Sequence, residues 1–296
     1  MSFTLTTLKA AIDEYTQNTN WGSTDQIDTI IRQAEERINY IVQIANYNTK
    51  FKDGFLAASS SYVTIADSET APLAPIYFRI RPAISVVAHV SSGTRTITPV
   101  SMDGIVLNQL VSSDELSDGT KIDGIGSTNF TVDPIPSSSD SSSALSIGNP
   151  AVAWSYLLMK DYNFLQEYAP IESTTGLPKY FAFYNDAQDT TPSNVATFSI
   201  APFTDGVYMY ETLYFFEPAS LVTVDAASSG SKTWLSTHGS NALLYACLVE
   251  AYTFLKGEAD LMQAYDAKFK EALQTLVMVE QGNYRTTYRN RGSRAA

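Results

Sequence analysis

Two apolar stripes of helical period lie at opposite ends of this chain, and they limit its fold more than any other feature. The first comprises Ile27, Ile30, Ile31, Ala34, Ile38, Ile41, Val42 and Ala45. The second comprises Leu261, Tyr265, Phe269, Ala272, Leu276 and Val279. Both follow helical spacing, the second in steps of three and four, which places each on one face of a helix. An isolated amphipathic helix is marginal in water, and its stability comes from burying that face. The two ends are therefore expected to pack together, with the residues between them leaving and re-entering one helical unit. Leu5, Leu8, Ile12 and Tyr15 predict a further helix at the start, and Ser23 with Gln26 forms the Ser-x-x-Gln signature of a helix N-terminus.

Between the stripes the period changes to two. "YVTIA" and "IYFRIRPAISVVAHV" alternate and are rich in β-branched and aromatic residues, which predicts strands. Pro82 lacks an N–H, so an edge, bulge or break is expected there. "SSGTRT", with Gly93, reads as a hairpin turn. Residues 112–150 are dominated by Ser, Asp, Gly and Pro, and "SSSDSSSALS" reads as an irregular surface insertion. "AVAWSYLLMKDYNFLQEY" looks helical up to Pro170. The aromatics of "GLPKYFAFY", and of Val207–Phe216 after the Asp205-Gly206 turn, alternate strictly. They are read as cross-strand partners in a meander, not as a pocket lining. Asn241–Lys256 then predicts an apolar helix capped at Gly257.

The fold class expected is α+β. A helical bundle made from residues 1–50 and 236–281 carries an inserted β-rich, sandwich or barrel-like domain over 51–235, and a basic arm covers 282–296. In that arm Arg285, Arg289, Arg291 and Arg294 are the only charged residues after Glu280. The chain as a whole has a net charge of −12, so the arm is the charge asymmetry of an interaction segment. An acidic body repels nucleic acid and anionic lipid.

Few residues are suited to catalysis. There are two histidines, His89 and His238, and neither has a neighbour at metal-ligand spacing. The single cysteine, Cys247, rules out an intrachain disulfide and reads as a buried structural thiol. "GIGS" at 124–127 lacks the Lys and Ser/Thr of a phosphate loop. The pairs Asp13-Glu14 and Glu35-Glu36 read as solvated helix faces. No catalytic residue, metal or cofactor is expected. No apolar run is long enough to span a membrane, and "MSFTLTTLKAAIDEY" does not read as a signal peptide.

The order of these elements resembles the head-to-tail adaptor proteins of tailed bacteriophages. The resemblance is carried by a Gly-x-Pro turn at Gly176 and Pro178, leading to Tyr180. It continues in a strand ending near Pro202, an aromatic strand with Tyr214, and Trp234-Leu235 ahead of two helices. The Ala-Glu-x-Arg-Ile run at Ala34–Ile38 belongs to the same pattern. The resemblance implies a structural protein of the virion neck, assembled in the host cytoplasm. Its copies would form a dodecameric ring below the portal, extend the DNA channel and dock the tail or nozzle. The portal-binding residues would be Tyr284, Arg285, Tyr288, Arg289, Arg291 and Arg294. Tyr and Arg are common anchors of protein interfaces. Two other readings remain at this point: a tail-fibre or carbohydrate-binding module with exposed tyrosines, and a hydrolase with a distant carboxylate pair.

Overall fold

The computed structural model describes residues 2–18, 21, 24–41, 48–66, 72–171, 174–184 and 195–292. Ser23, Val42, Ala45 and Arg294 lie outside them. In chain order the elements begin with α1 (Leu5–Thr16), α2 (Thr24–Ile41), β1 (Thr49–Leu56), β2 (Tyr62–Ala66), β3 (Pro72–Val90), β4 (Thr96–Pro99), β5 (Val111–Ser112) and β6 (Lys121–Ile125). They continue with β7 (Phe130–Asp133), β8 (Asp140–Gly148), β9 (Ser155–Tyr156), β10 (Leu158–Met159), α3 (Tyr162–Tyr168), β11 (Thr175–Gly176), β12 (Tyr180–Tyr184) and β13 (Val195–Ala201). The last are β14 (Phe203–Thr204), β15 (Tyr208–Phe216), α4 (Leu221–Ala227), α5 (Trp234–His238), α6 (Ser240–Phe254) and α7 (Ala259–Gly292). The protein is thus mixed α and β, and its largest β element is a curled antiparallel sheet. The chain divides into one unit of residues 1–49 and 217–296 and another of residues 50–216. The chain leaves the β unit at Phe216, ahead of the position 236 expected from the sequence, because α4 contributes Leu221 and Val222 to the helical core.

In the helical unit, α6 is apolar on nearly every side, as expected of a helix surrounded by others. Leu243, Ala246, Cys247 and Leu248 are fully buried, and α6 packs against α1, α2, α5 and α7. From α2, Ile27, Ile30, Ile31, Ala34 and Ile38 enter the same core. From α7 the buried positions are Phe269, Leu273 and Leu276. Leu261 and Val279, at the ends of the predicted stripe, are exposed.

The Ala34–Ile38 run has a distinct role for each of four residues. Ala34 and Ile38 face the core. Glu35 is buried, not solvated as its sequence context predicts. It accepts the Leu221 N–H at 3.0 Å and the Ser220 hydroxyl at 2.5 Å, so a carboxylate from α2 holds the first turn of α4. Burial pushes the Glu35 pKa up despite these bonds. Arg37 donates to Glu250 of α6 at 3.0 Å and to Asp266 of α7 at 3.1 Å, and its guanidinium lies 5.1 Å from the Phe269 ring centroid. At the end of α6, the left-handed residue is Lys256 (φ 53°), not Gly257. Gly257 is needed for space instead, since a Cβ there would lie 2.4 Å from the Tyr252 ring.

In the β unit, β3 runs unbroken through Pro82 but exchanges partners there. Its first half pairs with β15, ending at Tyr208 opposite Pro82, and its second half pairs with β8, starting at Ala83 opposite Gly148. Pro82 cannot donate, and its carbonyl accepts the Asn149 N–H at 3.1 Å. Phe78 and Ile80 enter one core, while Val86, Ala88 and Val90 enter a second. The expected hairpin turn at Gly93 (φ 77°) joins β3 to β4.

Three expectations for the middle are corrected. The serine-rich segment is strand β8, paired with both β3 and β5. Its Ser143, Leu145 and Ile147 are buried and alternate with the more exposed Ser142, Ala144 and Ser146, so a period-two pattern is hidden by small polar residues. Residues 151–161 are not helical; β9 and β10 pair with β3 and β12, and the helix begins at Tyr162. Asp205-Gly206 does not close a hairpin between paired strands, because β13 pairs with β12 and β2 whereas β15 pairs with β3.

Phe269→Ala is expected to cost about 3–5 kcal/mol in denaturant unfolding, the range for removing a buried ring. Leu145→Ala is expected to cost about 2–5 kcal/mol. A change well under 1 kcal/mol in the second case would return the serine-rich segment to a surface insertion.

Candidate interaction surfaces

The aromatic run "YFAFY" forms β12, and both of its faces are covered. Phe181 packs with Phe78 and Phe198 at ring-centroid separations of 5.7 and 6.2 Å. On the other face Tyr180 meets Phe164 and Tyr168 of α3 at 5.1 and 4.9 Å, beside buried Ala182. These rings fill two packed layers. The adjoining β10 is exposed, with Leu158 and Met159 facing solvent.

The C-terminal segment expected as an arm after 281 continues α7 to Gly292. Tyr284, Arg285, Tyr288, Arg289 and Arg291 lie on the last turns of that helix, and Arg294 lies beyond the described residues. Backbone helicity is the part that the composition obscured, since the polar sequence after Glu280 has no apolar stripe. Earlier in α7, Lys268, Glu271 and Thr275 form one wall of a groove of about 510 Å³, with His238, Ser240 and Tyr245 opposite. His238 is stacked on Trp234 at 5.0 Å.

A second surface was not anticipated. Tyr77, Arg79 and Arg81 alternate along β3 with core residues Phe78 and Ile80, so they share the outer face of the sheet. Glu211 of β15 lies directly opposite Arg79. It pairs with the Arg79 guanidinium at 2.6 Å and accepts the Tyr77 hydroxyl at 2.6 Å. Burial pushes the Glu211 carboxyl up, but the bonds from Arg79 and Tyr77 outweigh it and hold the group below its ordinary value. Arg79 also donates to the Tyr156 hydroxyl at 3.1 Å. The Trp154 ring has two guanidinium neighbours, Arg79 at 4.5 Å and Arg81 at 4.6 Å from its centroid. The alternation of "IYFRIR" marks the β3 half of this cluster. Trp154 and Tyr156 join it only through long-range strand pairing, which nothing local in the sequence marks.

Among the described residues no group of three His, Cys, Asp or Glu side chains is arranged to hold a metal ion. Cys247 is fully buried, and burial raises its thiol well above the ordinary value. His89 is exposed beside Ser91. No helix of the described residues is long and apolar enough to cross a membrane.

The match to known families agrees with the order of these elements. The SU10 adaptor protein family matches residues 142–294, from β8 to the end of α7. The chain belongs to that family, the phage head-to-tail adaptors, and is therefore a structural protein of a bacteriophage. Gly176, Pro178, Tyr180, Pro202, Tyr214 and Trp234-Leu235 all fall inside the matched stretch, while Ala34–Ile38 falls outside it. No curated protein matches the chain.

Glu211→Gln tests the charge balance of the outer face. The folded-state pKa of Glu211 lies below its ordinary value of 4.5, so its ionised form contributes stability above that pH. The stability difference between the native chain and Glu211→Gln, read from urea unfolding, is expected to be greatest near neutral pH. It should shrink as pH falls below about 4.5 and through the folded-state value. A difference independent of pH would mean that shape, not charge, is what Glu211 contributes.

Proposed function

We propose that copies of this chain form the head-to-tail adaptor ring of the virion neck, a dodecamer seated below the portal. In this reading the ring extends the DNA channel and presents the surface on which the tail or nozzle docks. The chain acts by binding and makes or breaks no bonds. The observation that carries the reading is the family match over β8–α7.

The physical chemistry of the molecule is consistent with this role. The helices from the two chain ends share one core and are proposed to form the bundle of the subunit. Arg37 joins α2, α6 and α7 through two carboxylates, and Lys270 pairs with the same Asp266 at 2.6 Å. A long helix anchored in this way can present its far end to a partner without losing its own fold. Arg285 follows the buried Leu276 by nine residues, about 13 Å along a helix axis at 1.5 Å per residue. The basic segment from Tyr284 to Arg294, which begins in the last turns of α7, is the proposed portal contact. Its charge is opposite to that of the acidic chain that carries it, and such contacts steer association and weaken in salt. The net charge of −12 also suits a DNA conduit, because a wall that repels phosphate does not trap the genome in passage.

Deletion of residues 284–296 in the phage is the direct test. Filled heads without tails are expected, with the adaptor missing from purified particles by gel and by electron microscopy. Tailed particles at normal yield would remove the portal contact from this segment. Cryo-electron microscopy of intact particles should place the chain between portal and tail, and density for it elsewhere would overturn the neck assignment.

A further inference from the structure

The outer-face cluster carries unequal charge. Arg79 and Arg81 supply two guanidinium groups and Glu211 supplies one carboxylate, which Arg79 already engages at 2.6 Å. Glu211 also attracts Arg81 electrostatically, but among the described residues no carboxylate forms a close ion pair with it. Its one hydrogen bond runs from Nη2 to the thioether sulfur of Met209 at 3.3 Å, a weak acceptor. Its Nε is buried without a partner. A guanidinium N–H buried without an acceptor is costly, since charged groups taken from water need good acceptors.

The surroundings maintain this arrangement. At Gly148 a Cβ would lie 2.3 Å from the Met209 sulfur and 2.8 Å from Arg81 Nη2, so a side chain there would displace both. Trp154 lies against the Arg81 guanidinium at 4.6 Å, and Tyr77 and Tyr156 meet edge to face at 5.7 Å beside it. Tyr156 is 61% exposed. Arginine among Trp and Tyr rings is the composition of interface anchors, and planar guanidinium groups favour carboxylates as bidentate partners.

We propose that the Arg81–Trp154–Tyr156 face is a docking site for a carboxylate side chain of a second copy of this chain. Charge complementarity selects the occupant. The chain has 31 acidic and 19 basic residues, so a second copy offers a predominantly acidic surface to a basic aromatic patch. The choice of a second copy rests on the ring assembly proposed above, whereas the site itself rests on the geometry of Arg81.

The test is photo-crosslinking of the full-length chain with Tyr156 replaced by p-benzoylphenylalanine, both as purified protein over a concentration series and in phage particles. The expected product has twice the chain mass, with the crosslink mapping to an Asp- or Glu-containing peptide of the second copy. Arg81→Ala in the same background should lower its yield by about tenfold or more, as for loss of a charge-assisted interface pair. If Arg81→Ala fails to fold by circular dichroism, Arg81→Lys replaces it. Lysine keeps the charge but loses the planar fork, so a smaller fall in yield is expected. A product insensitive to Arg81, no double-mass product in either setting, an adduct to a different protein, or an adduct removed by nuclease would each overturn the proposal. Absence of the chain from particles would refute the neck assignment alone, because crosslinking of the purified chain still decides whether copies meet at Arg81.

Discussion

The helical unit depends on the burial of α6. This helix has almost no polar side, with Leu243, Ala246, Cys247, Leu248 and Ala251 all inaccessible to solvent. Such a segment is unstable unless other helices surround it. Its neighbours come from both ends of the chain: α1 and α2 precede the β unit, and α5 and α7 adjoin α6 in sequence. The unit cannot form its core until the two ends meet, because α2 alone exposes its isoleucines and α6 alone exposes nearly everything. The polar contacts follow from that burial. Arg37 and Glu35 sit at the margins of the α2 stripe, where one ties α6 to α7 and the other holds the start of α4.

In the β unit a single strand has the corresponding part. β3 serves two apolar cores because the same face of one 19-residue strand points inward before and after Pro82. A proline in mid-strand is tolerated because partners change there and its carbonyl still finds a donor in Asn149. With the inward face taken up by Phe78 and Ile80, the alternate residues Tyr77, Arg79 and Arg81 must point outward. The sheet therefore brings two like charges to one face, with a single carboxylate, Glu211, that pairs closely with only one of them. The basic aromatic patch is thus a consequence of register: the pattern that builds the core also sets the composition of the opposite face.

For a protein that works by holding others together, the informative features are surfaces, and here they contrast in kind. The end of α7 is basic and polar, without an apolar stripe, and its position depends on the helix being continuous to Gly292. The patch on β3 is fixed in a sheet, with aromatic rings packed on guanidinium groups and a carboxylate already engaged. A contact of the first kind depends strongly on screened charge, while one of the second kind also buries rings and discriminates by shape.

The helices at the two ends, the strands of the middle and the alternation of β12 and β15 were all legible in the sequence, because local period reports which face is buried. The adaptor resemblance rested on that order of elements, and the family match over residues 142–294 bears it out. The sequence misled where polarity and burial part company. The serines of β8 masked a strand whose inward face carries Ser143, Leu145 and Ile147, and Glu35 looked solvated although it is buried against the start of α4. What only the tertiary structure decided was pairing: that β15 joins β3 and not β13, that β8 continues the sheet beyond Pro82, and that Trp154 comes to lie against Arg79 and Arg81. A side chain's period is set by its neighbours along the chain, but its partners are set by contacts between residues far apart in sequence, and those contacts leave no local mark.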